Sequence, residues 1–233
     1  MRTLTIAVAA IGMSAGAAAA DTVNLQFSHT GSGRNVRMTV GSNSFNCFAG
    51  QLVHNFSNGT GAAAGLTGSH ITYCSDLLQH VTSSTSTYTV TGIQNLPGGA
   101  GMGAAKAQAI YDMYAYANGA QFGADADMAA AFQLAIWEVI FDYNAGDSSS
   151  LNLASGTLKA KNTDGSALSA SVLAKAALLF SAIGSNAAQT GLMGFASGSY
   201  QDQIVQIVPI PAAALIGLAG LGLAGYARRR ATR

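Results

Sequence analysis

Two cysteines, Cys47 and Cys74, and four histidines are the side chains best suited to metal, redox or nucleophilic chemistry in this chain of 233 residues. The thiols have three readings: a Cys47–Cys74 disulfide, a buried free thiol, or a nucleophile that finds a partner elsewhere in the fold. A disulfide closing a loop of about 27 residues would stabilise a domain by about 3 kcal/mol on the chain-entropy account. A metal site would have to draw on His70, Cys74 and His80. Along one strand those ligands spread by about 13 Å from position 70 to 74, too far for one ion, so no metal is expected. Gly98-Gly99-Ala100-Gly101 lacks the Gly-Lys-Ser ending of a phosphate loop and reads as a turn. Asn55-Phe56-Ser57 and Asn58-Gly59-Thr60 match the glycosylation sequon, a short pattern that chance produces often. Asp125, Asp127 and Asp142 read as helix-cap and surface carboxylates. No acid–base pair marks a hydrolase, and the expectation is a protein without cofactor that is not a turnover enzyme.

The elements that must hold these groups change period along the chain. Val23–Phe27 and Val36–Val40 alternate apolar with polar, as half-buried strands do, and Gly31-Ser32-Gly33 and Gly41-Ser42-Asn43 read as turns. Phe45–Phe56, Ile71–Val81 and Tyr88–Thr91 are further strand candidates. Residues 103–117 put Ile110, Met113, Tyr114 and Ala117 on one helical face. Asp125 and Asp127 suit the start of a second helix, whose apolar stripe is Met128, Phe132, Ile136, Val139, Ile140 and Tyr143. A short strand over 151–161, a third helix over 169–183 and a last strand over 200–208 complete an α+β pattern: a β-sandwich or barrel with a helical insertion.

The ends decide the compartment. Arg2, the apolar run Leu4–Met13 and Ala17-Ala18-Ala19-Ala20 have the order of a secretory signal over residues 1–20, cleaved after Ala20. At the other end Val208-Pro209-Ile210-Pro211 precedes a Gly/Ala/Leu segment and then Arg228-Arg229-Arg230. Pro211 to Ala227 would make roughly 25 Å of helix, against a hydrocarbon core of about 30 Å. The segment therefore enters a membrane but spans it only marginally, with the arginines on the cytoplasmic side and residues 21–208 outside. This three-part tail over 209–233 resembles the PEP-CTERM tails of Gram-negative bacteria, in their Val-Pro-x-Pro-Ala variant. The resemblance implies recognition and removal by an exosortase-type membrane protease, so that the chain contacts the membrane only before processing. A retained single-pass anchor is the other reading of the same tail. Without both ends the chain keeps six basic and ten acidic residues. A balance of about −4 offers no basic surface for phosphates, which argues against a nucleic-acid partner. The expected location is the cell surface or the extracellular matrix.

Two short segments carry a second resemblance. Tyr73-Cys74-Ser75-Asp76 ends a strand, and Phe132-Gln133-Leu134-Ala135-Ile136-Trp137 lies within a helix. The latter resembles the Thr-Gln-x-Ala-Ile-Trp motif of bacterial surface thioester domains, with Phe132 at the position of the motif threonine. Similar Cys-Asp and Gln-Leu-Ala-Ile-Trp segments occur in PEP-CTERM proteins, which end in a Gln-Asp-Gln like Gln201-Asp202-Gln203. The resemblance implies a covalent Cys74–Gln133 thioester within a thioester-domain-like region spanning 21–208. Such a bond forms when the thiol attacks the carboxamide carbon and ammonia leaves; positioning supplies about 7–11 kcal/mol of such a barrier. Trp137, one turn after Gln133, would shield the bond until a surface or matrix ligand bearing an amine or hydroxyl arrives. Two functions stay open on sequence: a covalent adhesin, or an inert structural or polysaccharide-associated matrix protein with a Cys47–Cys74 disulfide. In the second, Gln133 simply hydrogen-bonds a strand edge.

Overall fold

The structure, a computed structural model, describes residues 19–207 apart from Gly98, Ala100, Gly119 and Ser148. Most of the expected signal segment, and Val208, Pro209, Pro211, Arg228, Arg229 and Arg230 of the expected sorting tail, lie outside the described residues. Ala20, the expected cleavage site, is exposed two residues before the first strand. Among the described residues no helix is long and apolar enough to cross a membrane.

Among the described residues, seven antiparallel strands and three α-helices make up an α+β fold. β1 (Thr22–Val40) is one long strand rather than two strands and a turn. Gly31–Gly33 reads as a turn by composition, yet it lies where β1 and β2 (Asn43–Ser57) press together, within the second of two shifts of register. A Cβ on Gly33 would sit 2.4 Å from the Ala49 carbonyl oxygen, and one on Gly50 2.4 Å from that of Ser32. These glycines serve close backbone approach and a bulge, not reversal. The reversal comes at Gly41, with φ of +58°.

β3 (Gly68–Cys74) is shorter than the expected 71–81 run. Asp76 ends it: the carboxylate Oδ1 accepts from the Leu78 N–H at 2.9 Å, a local turn that competes with the sheet. β7 (Gln203–Gln206) falls inside its expected strand, β4 (Ser86–Thr91) starts two residues before the expected one, and β5 (Leu158–Asn162) covers only the end of the expected 151–161 run and passes it by one residue. β6 (Leu192–Ala196), flanked and interrupted by Gly191, Gly194 and Gly198, carries too weak an alternation to read from sequence. The pairing order β2-β3-β7-β6-β4-β1-β5 returns from β1 to β2, so six strands close a ring and β5 extends the far half of β1.

Directly paired residues share a face. Leu25 with Phe56, Val23 with Tyr88 and Thr72 with Val205 therefore place a small apolar core inside the ring, joined by Phe195. Cys74, opposite Gln203, points to the same side at the end of β3. Tyr73 and Ile204 face outward, into the larger core shared with the helices.

α1 (Gly103–Tyr116), α2 (Ala126–Asp142) and α3 (Ala170–Ala182) form that second layer. Asp125 caps α2 as expected, its Oδ1 accepting from the Met128 N–H at 2.9 Å. Ser169 caps α3 through the Val172 N–H. At the other end of α2, Lys106 donates to the Ile140 carbonyl at 2.6 Å, a cation at the negative end of the helix. Every residue from Ala129 to Val139 is buried, because β1 and β2 cover one side of α2 while α1 and α3 cover the other. Sequence periodicity anticipates a stripe; the structure buries the whole circumference, Gln133 and Glu138 included.

Candidate functional site

Cys74 and Gln133 meet. The Gln133 Oε1 accepts from the Cys74 main-chain N–H at 2.9 Å, and its Nε2 donates to the Cys74 carbonyl at 2.8 Å. β2 stops pairing with β3 at Leu52–Thr72, and the glutamine amide takes up the main chain of the last β3 residue beyond that point. Both side chains are buried, Cys74 to 2% exposure and Gln133 to 1%. The carboxamide carbon is thereby held between two fixed main-chain atoms of the residue that carries the thiol.

The neighbouring pair of residues fixes this approach. Phe132 stacks edge-on against Tyr73 at 4.8 Å and against Tyr114 at 4.8 Å, with Phe122 at 5.4 Å. Tyr73 in turn donates its hydroxyl to the Ala120 carbonyl at 2.8 Å. A threonine at 132 could not fill this aromatic cluster. Phe132 gives up a hydroxyl and instead fastens α2 to β3 one residue from the thiol.

The sulfur donates to the Asp76 carbonyl at 2.9 Å. Burial pushes the thiol well above its ordinary range; the Trp137 N–H acts the other way, and the Asp76 carboxylate and Cys47 add to the rise. Trp137 is 1% exposed, and its indole N–H faces the sulfur outside normal hydrogen-bond geometry while still favouring the thiolate. Trp137, Cys74, Gln133 and Cys47 all line one cleft of about 250 Å³, walled by Phe27, Phe45, Phe48 and Leu52. Cys47 and Cys74 are both free thiols here, and burial raises Cys47 to about 12.

Below the cleft runs a polar chain inside the ring. Thr72 donates its hydroxyl to Gln203 Oε1 at 2.8 Å, so the 2.9 Å contact between His54 Nδ1 and the Thr72 oxygen has the histidine as donor. His54 is thus the Nδ1–H tautomer, its buried Nε2 has no partner, and burial lowers its pKa to about 4. Gln203 Nε2 donates onward to the Gln201 carbonyl at 3.1 Å. The motif resemblance singles out Gln201-Asp202-Gln203 but gives neither glutamine a role.

Of the other candidates, His80 lines the same cleft and the rest lie apart. His70 Nε2 is 3.1 Å from the Thr67 carbonyl oxygen, and its ring packs on Phe56 at 4.9 Å. Among the described residues no group of three His, Cys, Asp or Glu side chains could hold a metal ion. Asp127 pairs with Arg34 at 2.8 Å, and Asp125 pairs with Lys175 at 2.7 Å in addition to its cap. Asp142, expected as a surface carboxylate, instead binds the Thr157 and Leu158 N–H groups at 2.9 and 2.8 Å.

Family models, curated proteins and solved structures offer no match to this chain. The functional reading therefore stands on the geometry and on the two motif resemblances.

Proposed function

We propose that this is an exported bacterial surface or matrix protein whose thioester-domain-like fold makes a single covalent attachment through Cys74 and Gln133. The observation that carries the proposal is the two-point hold of the Gln133 carboxamide on the main chain of Cys74. When the sulfur attacks the carboxamide carbon, negative charge develops on Oε1, which already accepts the Cys74 N–H within the distance an oxyanion donor needs. The thiol hydrogen passes to Nε2, the C–N bond breaks, and ammonia leaves a Cys–Gln thioester. An incoming amine or hydroxyl then adds to the same carbon, the C–S bond breaks, and Cys74 recovers its hydrogen. Trp137 and the aromatic walls of the cleft keep water from the bond in between. The link is made once, so this is a reactive binder and not an enzyme.

The intact mass of the secreted protein tests this. A thioester lowers it by one ammonia, and Cys74→Ala abolishes the deficit. A deficit of two hydrogens instead would support the second reading, an inert matrix scaffold with a Cys47–Cys74 disulfide. The cleft that Cys47 shares with Cys74 supports that second reading.

The tail reading belongs to the same proposal. Release from the membrane by an exosortase-type protease would depend on Val208, Pro209, Pro211 and the arginines 228–230. Replacing Arg228, Arg229 and Arg230 by alanine should leave unprocessed precursor in the membrane fraction; normal release would remove the support for sorting.

A further inference from the structure

Cys74 and the loop that follows it are tied to residues 201–203 at five points. The Ser75 N–H donates to the Asp202 carbonyl at 3.0 Å, and the Gln201 N–H donates to the His80 carbonyl at 3.0 Å. Cys74 pairs in register with Gln203. The Gln201 side chain reaches back across the loop, where Nε2 donates to the Asp76 carbonyl at 2.9 Å and to the Gln79 carbonyl at 3.0 Å. The Asp76 carbonyl is the acceptor of the Cys74 thiol. One oxygen therefore holds the nucleophile on one side and is held by Gln201 on the other.

The orientation of that amide is set from below. Gln203 Nε2 lies 3.4 Å from Gln201 Oε1 as a donor, which leaves both Gln201 Nε2 hydrogens for the two loop carbonyls. The direction of donation runs from His54 through Thr72 to Gln203 and then to Gln201, and no flipped amide satisfies it.

We propose that Gln201 is the positioning residue for Cys74: its amide fixes the Asp76 carbonyl, and so the rotamer that holds the sulfur in the cleft Gln133 also lines. The role rests on the thioester reading above, but its mechanical part does not. A sulfur held by a fixed carbonyl in a buried corner is slow toward outside reagents and quick toward the one group beside it; a released loop reverses both.

The test separates the two claims. In a Cys47→Ser, Gln133→Glu protein, Cys74 is the only thiol and no ammonia can be lost, while a protonated carboxyl at 133 keeps both hydrogen bonds to Cys74. Adding Gln201→Glu or Gln201→Met should raise the rate of Cys74 alkylation by iodoacetamide at least tenfold, with circular dichroism unchanged. Asp112→Asn, remote from the cleft, should leave that rate within twofold and so marks the effect of mere destabilisation. With Gln133 present, the same Gln201 variants should lose ammonia after refolding at least tenfold more slowly than the parent. In the unmodified protein both Gln201 side-chain N–H hydrogens should exchange at least a hundredfold more slowly than in a free glutamine, a measurement that needs no variant. Alkylation within twofold of the parent in the folded Gln201 variants, or unprotected side-chain hydrogens, would overturn the proposal. Absence of ammonia loss in the parent would sink the thioester alone.

Discussion

Glu138 offers the sharpest physical prediction, because α2 buries it with half its hydrogen-bonding capacity unused. It is fully buried; Oε1 accepts from the Asn152 N–H at 2.6 Å, and Oε2 has no partner. Lys106, the nearby cation from α1, gives its ammonium to the Ile140 carbonyl. Asp142, one turn on, adds negative charge while clamping Thr157 and Leu158. Burial, opposed by the Asn152 bond and reinforced by Asp142, raises the carboxyl from 4.5 to about 7. The folded chain therefore keeps this proton up to about pH 7, whereas the unfolded chain releases it near 4.5. Over that window the folded state binds more protons, so the stability tied to this group is full below pH 4.5 and is lost as pH rises through 7.

At about 1.4 kcal/mol per pH unit the ceiling is about 3 kcal/mol. Relaxation of the surroundings around the charged carboxylate brings the expected loss to about 2 kcal/mol. Glu138→Gln keeps an acceptor for Asn152 and carries no charge at any pH. Urea midpoints of parent and variant at pH 5, 6, 7 and 8 isolate the group, because every other titration cancels in the difference. The variant should gain about 2 kcal/mol on the parent between pH 5 and 8, or about 4–8 °C in Tm. A difference that does not change with pH, or that moves in favour of the parent as pH rises, would refute the reasoning.

Two further substitutions probe the frame around the cleft. Phe132→Ala should cost about 3–5 kcal/mol in urea unfolding, since it empties the centre of the Tyr73–Tyr114–Phe122 cluster, and should also abolish any ammonia loss; a cost below about 1 kcal/mol would mean the cluster does not fasten α2 to β3. Asp125→Ala should cost about 1–2 kcal/mol by removing the α2 cap, with little dependence on salt because the exposed Lys175 pair contributes little; a loss erased by high salt would assign the effect to the ion pair instead.

Much of this arrangement is legible in the residues themselves. Period two over Val23–Phe27 and Val36–Val40, period 3.6 over Met128–Tyr143 and a carboxylate at Asp125 suffice to place strands, helix and cap, because each rests on local geometry. The meeting of Cys74 with Gln133 came from a motif resemblance, and the structure places the two side by side. What escaped depends on distant partners. Gly33 looks like a turn until β2 lies against it. β6 hides among glycines and is a strand only because β4 and β7 flank it. Asp142 looks exposed until the chain returns at Thr157. Gln201 has no meaning until the loop after Cys74 folds back onto it.

The central claim is that a sulfur and a side-chain carbonyl carbon, brought together at the end of β3, become one bond. Methylamine reads this most directly. Incubated with the purified protein and followed by peptide mapping, it should add one amine at Gln133 and set free one titratable thiol at Cys74, in the parent and in Cys47→Ser alike. A protein that takes up no methylamine while folded, and whose Gln133 peptide keeps its ordinary amide mass, would contradict the account.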